Sequence, residues 1–325
     1  MSALAPTPFT VIGGFLGAGK TTLLNRLLAD PAAPRCAVLV NDFGAIDIDA
    51  SLIREHDGET LALANGCVCC SLASGFIKVM LKVTAERHRF DHVVVEASGV
   101  SEPARIMDIA RLDPELVPNA IVTVVDAAEL ATRLADPATA ELVAVQLKAA
   151  NLVLLNKIDR VDAVRLASIV ELIQAHNEDA GVVRTINADV PLSLVFGTSE
   201  VPGSNPVGKT TANRFEHAVH AAADHFHSTS MSSSVPLTRT ALGRLDASLG
   251  VDVIRAKGIV ELEGEPGRWS WQRVGGSSRI EALPSEHAGS GLAAHRPFTA
   301  VLIATVPINP DSLVLPEGVT FAASP

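Results

Sequence analysis

Cysteine is scarce in this 325-residue chain: there are four, and three stand within four consecutive positions, Cys67, Cys69 and Cys70 of "LANGCVCCSL". Basic residues form no long run, and the formal net charge is -10. Nucleic acid and anionic membrane both need clustered cations, so neither is expected as a main partner, and room is left for cationic ligands, metal ions among them. No uninterrupted apolar stretch approaches a membrane span. The opening "MSALAPTPFTVIGG" lacks the basic n-region and long apolar core of a secretory signal, so a cytoplasmic protein is expected. In that reducing setting a dense cysteine cluster points to metal binding or redox chemistry rather than a structural disulfide. Adjacent Cys69 and Cys70 could close only a strained ring, which argues further against one.

Apolar residues make up 48% of the chain, enough for a large core and, at this length, two domains. "FTVIGG" (9–14), "CAVLVND" (36–42), "DHVVVEA" (91–97), "AIVTVVDA" (120–127) and "NLVLLNK" (151–157) are short continuous apolar runs separated by helical patterns. Such runs are strands buried on both faces, which predicts an α/β fold with a parallel sheet under helices over residues 1–197. Gly, Pro, Ser and Thr dominate "GTSEVPGSNPVGKTT" and "HSTSMSSSVP", so 198–233 reads as a linker holding one short helical stretch. Beyond it, "DVIRAKGIVELEG", "RWSWQRVGG", "SRIEAL" and "FTAVLIATV" read as strands and "TALGRLDASLG" as a helix. They predict a smaller α+β domain over 234–325. No repeat of solenoid length is visible.

"GFLGAGKT" (14–21) fits the P-loop pattern G-x-x-x-x-G-K-[ST] and stands between a strand and a helix, where the mechanism needs it. Gly14, Gly17 and Gly19 let the backbone curl so that successive N–H groups face phosphate oxygens. Ala18 and Thr22 belong to the same candidate contact surface. Lys20 is expected to bridge the β- and γ-phosphates, and the Thr21 hydroxyl to bind Mg²⁺. "EASG" (96–99) closes another strand, where Glu96 could orient Mg²⁺ or its water and the Gly99 N–H could sense the γ-phosphate.

"NKID" (156–159) ends a third strand on the same edge. Asp159 can accept both the N1–H and the 2-amino group of guanine, whereas adenine would leave it desolvated and unpaired. Asn156 would secure the loop and the base edge, and the Lys157 stem would cover the ring. Alone the tetrapeptide is weak; after a P-loop it favours GTP over ATP. A P-loop kinase is a distant third reading that "NKID" counts against.

With "GGFLGAGKTT", "NDFGAIDID", "NGCVCC", "EASGVSEPARI" and "NKID" in this order, the chain resembles the CobW-type P-loop GTPases. These are metallochaperones, cousins of the GTPases that insert nickel into urease and hydrogenase. The resemblance implies a P-loop fold and GTP hydrolysis with Lys20, Glu96 and Asp42 in catalytic roles. It also implies a client metalloprotein or metal-inserting enzyme that receives the metal; a homo-oligomer is left open. The family's second motif is usually Asn-Glu-Phe-Gly, so Asp42 stands in the acidic place, one methylene shorter. Many relatives carry a histidine tract near the linker, of which His217, His220, His225 and His227 remain.

Soft thiolates favour Zn²⁺, Co²⁺ or Cu⁺ over Mg²⁺. Three of them plus an open position suit a metal that must react or leave, with a fourth ligand from Asp42, solvent or the receiving protein. Zinc and cobalt fit almost equally. The competing readings are thiol–disulfide exchange, through Cys69–Cys70 or Cys67–Cys70, and a buried structural role. Cys36 in "PRCAVLV" reads as a core cysteine. His217 and His220 would share a helix face with Asp224, a face that is more often solvated linker than metal site.

The first functional expectation is a GTP-hydrolysing metallochaperone whose intrinsic turnover is slow, because no water-positioning residue or arginine finger is evident. The alternative is a non-catalytic, metal-responsive module whose GTP state selects a partner.

Overall fold

The computed structural model describes residues 5–41, 60–63, 80–81, 83–197, 226–283 and 296–321. The chain divides into two units: Met1–Glu178 with Val183–Phe196, and Asp179–Val182 with Gly197–Pro325.

The first unit carries a seven-stranded sheet, all of it except the first two residues of its last strand. Its strands are β1 (Thr7–Gly13), β2 (Cys36–Asn41), β3 (Thr60–Leu63), β4 (His92–Glu96), β5 (Leu116–Asp126), β6 (Leu152–Asn156) and β7 (Gly181–Arg184). They lie in the order β3-β2-β4-β1-β5-β6-β7, and β1 runs parallel to both its neighbours, β4 and β5. Among the described residues the helices beside them include α1 (Lys20–Ala29), α2 (Pro103–Leu112), α3 (Leu130–Ala135), α4 (Ala140–Ala149), α5 (Ala163–His176) and α6 (Leu192–Phe196). This is the doubly covered α/β architecture that the continuous apolar runs predict. β4 and β6 are buried at every position, so alternation could not have marked them. On one face Phe9, Val11, Leu39, Val93 and Val95 pack with Ile106, Met107 and Ala110 of α2. The intervening Ile12, Val38 and Val94 are buried too, so the other face is covered as well. β3, "TLAL", and β7, "GVVR", were not legible as strands; at four residues each they carry too little pattern.

The second unit has a six-stranded antiparallel sheet. It contains β8 (His227–Ser233), β9 (Val253–Val260), β10 (Trp269–Val274), β11 (Ser277–Ala282), β12 (Phe298–Ala304) and β13 (Val319–Phe321), in the order β11-β10-β9-β12-β8-β13. Helix α7 (Arg239–Ser248) buries Leu242 and Leu245 in a core with Ala256, Trp271, Phe298 and Leu302. The Trp271 indole donates to Asp246 Oδ1 (3.0 Å), and the Arg273 guanidinium donates to the carbonyls of Asp246 (3.1 Å) and Leu249 (3.0 Å). A cation thus satisfies the carbonyls at the end of α7.

One boundary differs from the sequence reading. His227–Ser233, which its serine-rich composition assigns to the linker, is β8, paired with β12 on one side and β13 on the other. Backbone ladders hold it, with Met231 and Ser233 as its buried positions, so composition gave no sign of it. Among the described residues no helix is long and apolar enough to cross a membrane.

Candidate nucleotide site

Parallel strands end on a common edge, and the described nucleotide-site candidates collect there because each lies at or after a strand end. β1 runs into the P-loop, β4 ends on Glu96, β5 on Asp126 and β6 on Asn156.

The P-loop glycines answer to two neighbours. Gly14 has φ 127°, and a Cβ there would meet the Val124 carbonyl oxygen at 2.1 Å. Gly19 has φ 116°, and a Cβ would fall 2.5 Å from Asn156 Nδ2. Only glycine fits both the conformation and the space. Lys20, 8% exposed, opens α1 and donates to the Phe15 carbonyl across the loop (3.3 Å). Ala18 is buried, whereas Gly17 and Thr22 are exposed.

Thr21 Oγ1 donates to Glu96 Oε1 at 2.8 Å, and the Glu96 carboxylate is buried. A hydroxyl and a carboxylate side by side are hard oxygen donors of the kind Mg²⁺ takes, so these residues fit that ion. Gly99, three residues on, packs against the P-loop, where its Cβ would come 2.8 Å from the Leu16 nitrogen.

Asn156 ties the "NKID" segment to the P-loop segment. Its Nδ2 donates to the Ala18 carbonyl (2.9 Å), and its Oδ1 accepts from the Ala188 amide (2.9 Å). Lys157, in the left-handed region at φ 61°, donates from Nζ to the Gly17 carbonyl (2.7 Å) and to Asp126 Oδ2 (2.7 Å). Asp159 is exposed in the short 3₁₀ turn that follows.

Two residues belong here that sequence reasoning missed. Asp126 ends an apolar strand as Glu96 does, and that shared pattern was its available signal. Gln146, buried on α4, donates from Nε2 to the carbonyls of Gly99 (3.1 Å) and Ser101 (3.0 Å); nothing in the sequence points to it.

Asp42, Cys67, Cys69 and Cys70 lie outside the described residues, as do His217, His220, Asp224 and His225. Among the described residues no group of three His, Cys, Asp or Glu side chains could hold a metal. His227 is exposed at the start of β8. Cys36 is buried in the core, and burial, helped by the Asp91 carboxylate, pushes its thiol up to about 12.

The chain matches the family model of the CobW/HypB/UreG nucleotide-binding domain over residues 8–184, and that of the cobalamin synthesis protein CobW C-terminal domain over residues 226–313. It is 29% identical over 317 residues to the zinc chaperone CobW of Sinorhizobium sp, spanning 87% of this chain and 89% of that one. To the zinc chaperone CobW of Pseudomonas aeruginosa it is 32% identical over 311 residues, spanning 85% and 82%. To the zinc-regulated GTPase metalloprotein activator 1 of Schizosaccharomyces pombe it is 34% identical over 194 residues, spanning 57% and 47%.

Proposed function

Because this chain belongs to the CobW/HypB/UreG family, we propose that it is a GTP-binding and GTP-hydrolysing metallochaperone. It holds a thiophilic divalent metal, zinc or cobalt, at Cys67, Cys69 and Cys70 and passes it to a client protein. The observation that carries the nucleotide half is the double tie between loops: Asn156 on the Ala18 carbonyl and Lys157 on the Gly17 carbonyl. Phosphate-binding and base-reading segments are thereby held as one site. The metal half is supported by the three clustered thiols and by the zinc-chaperone names of the relatives.

In this reading the P-loop N–H groups take the phosphate oxygens, and Lys20 exchanges the Phe15 carbonyl for phosphate. Thr21 and Glu96 hold Mg²⁺, which when bound neutralises charge on the phosphate oxygens. Asp159, exposed at the site's edge, accepts the two guanine N–H donors. Intrinsic turnover is slow. The cation stacked over the Phe15 ring, Arg133 at 5.1 Å, is paired with Glu129 (3.2 Å).

The test is binding of fluorescent GTP and ATP, followed by phosphate release with and without Zn²⁺. GTP should bind at least about 100-fold tighter, since adenine leaves polar groups mismatched at about 1–3 kcal/mol each. Equal affinities would remove the guanine assignment. Nucleotide binding without any turnover, with or without metal, would instead favour a non-catalytic, metal-responsive module.

A further inference from the structure

We propose that Gln146 is a positioning residue that holds the turn after β4 in the form that distinguishes GTP from GDP; this rests on the GTP reading of the site. The turn, residues 97–102, follows Glu96 and carries Gly99 against the P-loop. Both Gly99 and Ser101 direct their carbonyl oxygens to the one amide nitrogen of Gln146. Ser98 turns its carbonyl into the same turn, where it accepts from the Ser101 amide (3.0 Å) and hydroxyl (2.8 Å).

No peptide here is cis. In a trans peptide the N–H points opposite to the C=O. The carbonyls of Gly99 and Ser101 are committed towards α4, so the N–H groups of Val100 and Glu102 point away from it. With the Ser98 carbonyl committed to the turn, the Gly99 N–H points out of the turn. N–H donors turned away from α4, on a segment that packs against the P-loop at Gly99, suit a terminal phosphate. Gln146 does not touch the nucleotide; it fixes the backbone that does. Its own carbonyl accepts from Thr123 Oγ1 (3.2 Å), which anchors α4 to β5, three residues before Asp126.

The residue type matters because the amide donates twice from one atom. A carboxylate in its place would set negative oxygens against two carbonyls and reverse the interaction. A leucine would remove the donors yet keep the fold. Gln146 lines a cavity of about 40 Å³ whose other walls include Leu130, Val143 and Leu147, so an apolar replacement finds apolar neighbours.

The experiment titrates GDP and a non-hydrolysable GTP analogue into wild type, Gln146→Leu and Gln146→Glu in matched Mg²⁺, and measures kcat and KM for GTP. Gln146→Leu should hold GDP within about threefold of wild type while losing about tenfold or more in analogue affinity and in kcat, as expected for donors left unpositioned. Gln146→Glu should lose more at pH 8 and recover discrimination as the pH falls, because a protonated carboxyl can donate again. Equal loss of both nucleotides would make Gln146 a scaffold residue only, and an unchanged analogue-to-GDP ratio would remove its role; either overturns the inference. If wild type binds no guanine nucleotide, the reading of the site itself falls with it.

Discussion

The Thr21 hydroxyl donates to the Glu96 carboxylate at 2.8 Å, which joins the first turn of α1 to the end of β4. If this pair holds Mg²⁺, its charge matters more than its hydrogen bond. Glu96→Gln keeps an oxygen that can accept from Thr21 but removes the charge that holds the ion. Nucleotide affinity in Mg²⁺ should fall by about tenfold or more, in line with loss of a charged contact at about 1.5–3 kcal/mol. In EDTA the variant and wild type should bind GDP alike. Fluorescent GDP titrations in the two buffers decide it, and an equal deficit in both would mean that Glu96 supports the P-loop rather than the ion.

Two aspartates on this edge of the sheet have opposite consequences. Asp126 is mostly buried and pairs with Lys157 Nζ at 2.7 Å, whereas Asp159 is exposed. Asp126→Asn should weaken GTP about tenfold and lower stability by about 1–2 kcal/mol, because Lys157 loses its counter-charge in a half-buried place. Asp159→Asn should leave the urea midpoint unchanged but move preference towards xanthosine triphosphate, whose 2-oxo group matches an amide donor. Denaturation and competition titrations on both variants separate the roles. Loss of stability in Asp159→Asn would contradict its exposed placement.

These cases also explain what the sequence could and could not reveal. The P-loop and "NKID" were legible because their chemistry sits in consecutive residues beside an apolar strand. Asp126 shared that signal, but its role depends on where the Lys157 head lies, which strand pairing sets. The amide of Gln146 reaches a turn more than forty residues earlier in the chain, a relation that no local pattern encodes. β8 was hidden for a different reason. Its serines pair through the backbone, and backbone hydrogen bonds leave no mark on composition.

Cys36 gives a prediction at alkaline pH. Its thiol is pushed from an ordinary value of 9.0 up to about 12, chiefly by burial and further by Asp91. Above pH 9 the unfolded chain ionises this thiol while the folded chain keeps it protonated, so the unfolded state gains. Stability is therefore fully present below pH 9 and is lost as pH rises towards 12, at up to about 1.4 kcal/mol per pH unit. Urea midpoints of wild type and Cys36→Ala should stay a constant distance apart from pH 7 to 8.5. Above pH 9 the wild type should decline more steeply. Parallel curves up to pH 11 would show that Cys36 ionises freely in the folded protein.

The final expectation concerns coupling between nucleotide and metal. β2 runs beside β4 with Val40 in register with Glu96, and ends at Asn41, immediately before Asp42. β3 ends at Leu63, in register with Asn41, four residues before Cys67. β2 and β3, which precede Asp42 and Cys67 in the sequence, therefore both end on the edge bearing the P-loop. If γ-phosphate contacts order the chain through Asp42, nucleotide must alter metal affinity, and linkage requires metal to alter GTP affinity by the same factor. We expect tighter metal binding with GTP than with GDP, by about 1–3 kcal/mol, the usual allosteric range. Co²⁺ titrations followed by thiolate charge-transfer absorption, with GDP or a non-hydrolysable GTP analogue in matched Mg²⁺, measure it directly. The bands should vanish when Cys67, Cys69 and Cys70 are all changed to Ser, and affinity should rise with pH because each thiol must lose its proton to bind. Identical metal affinities in the two nucleotide states would leave the sites independent, and hydrolysis could then not drive release.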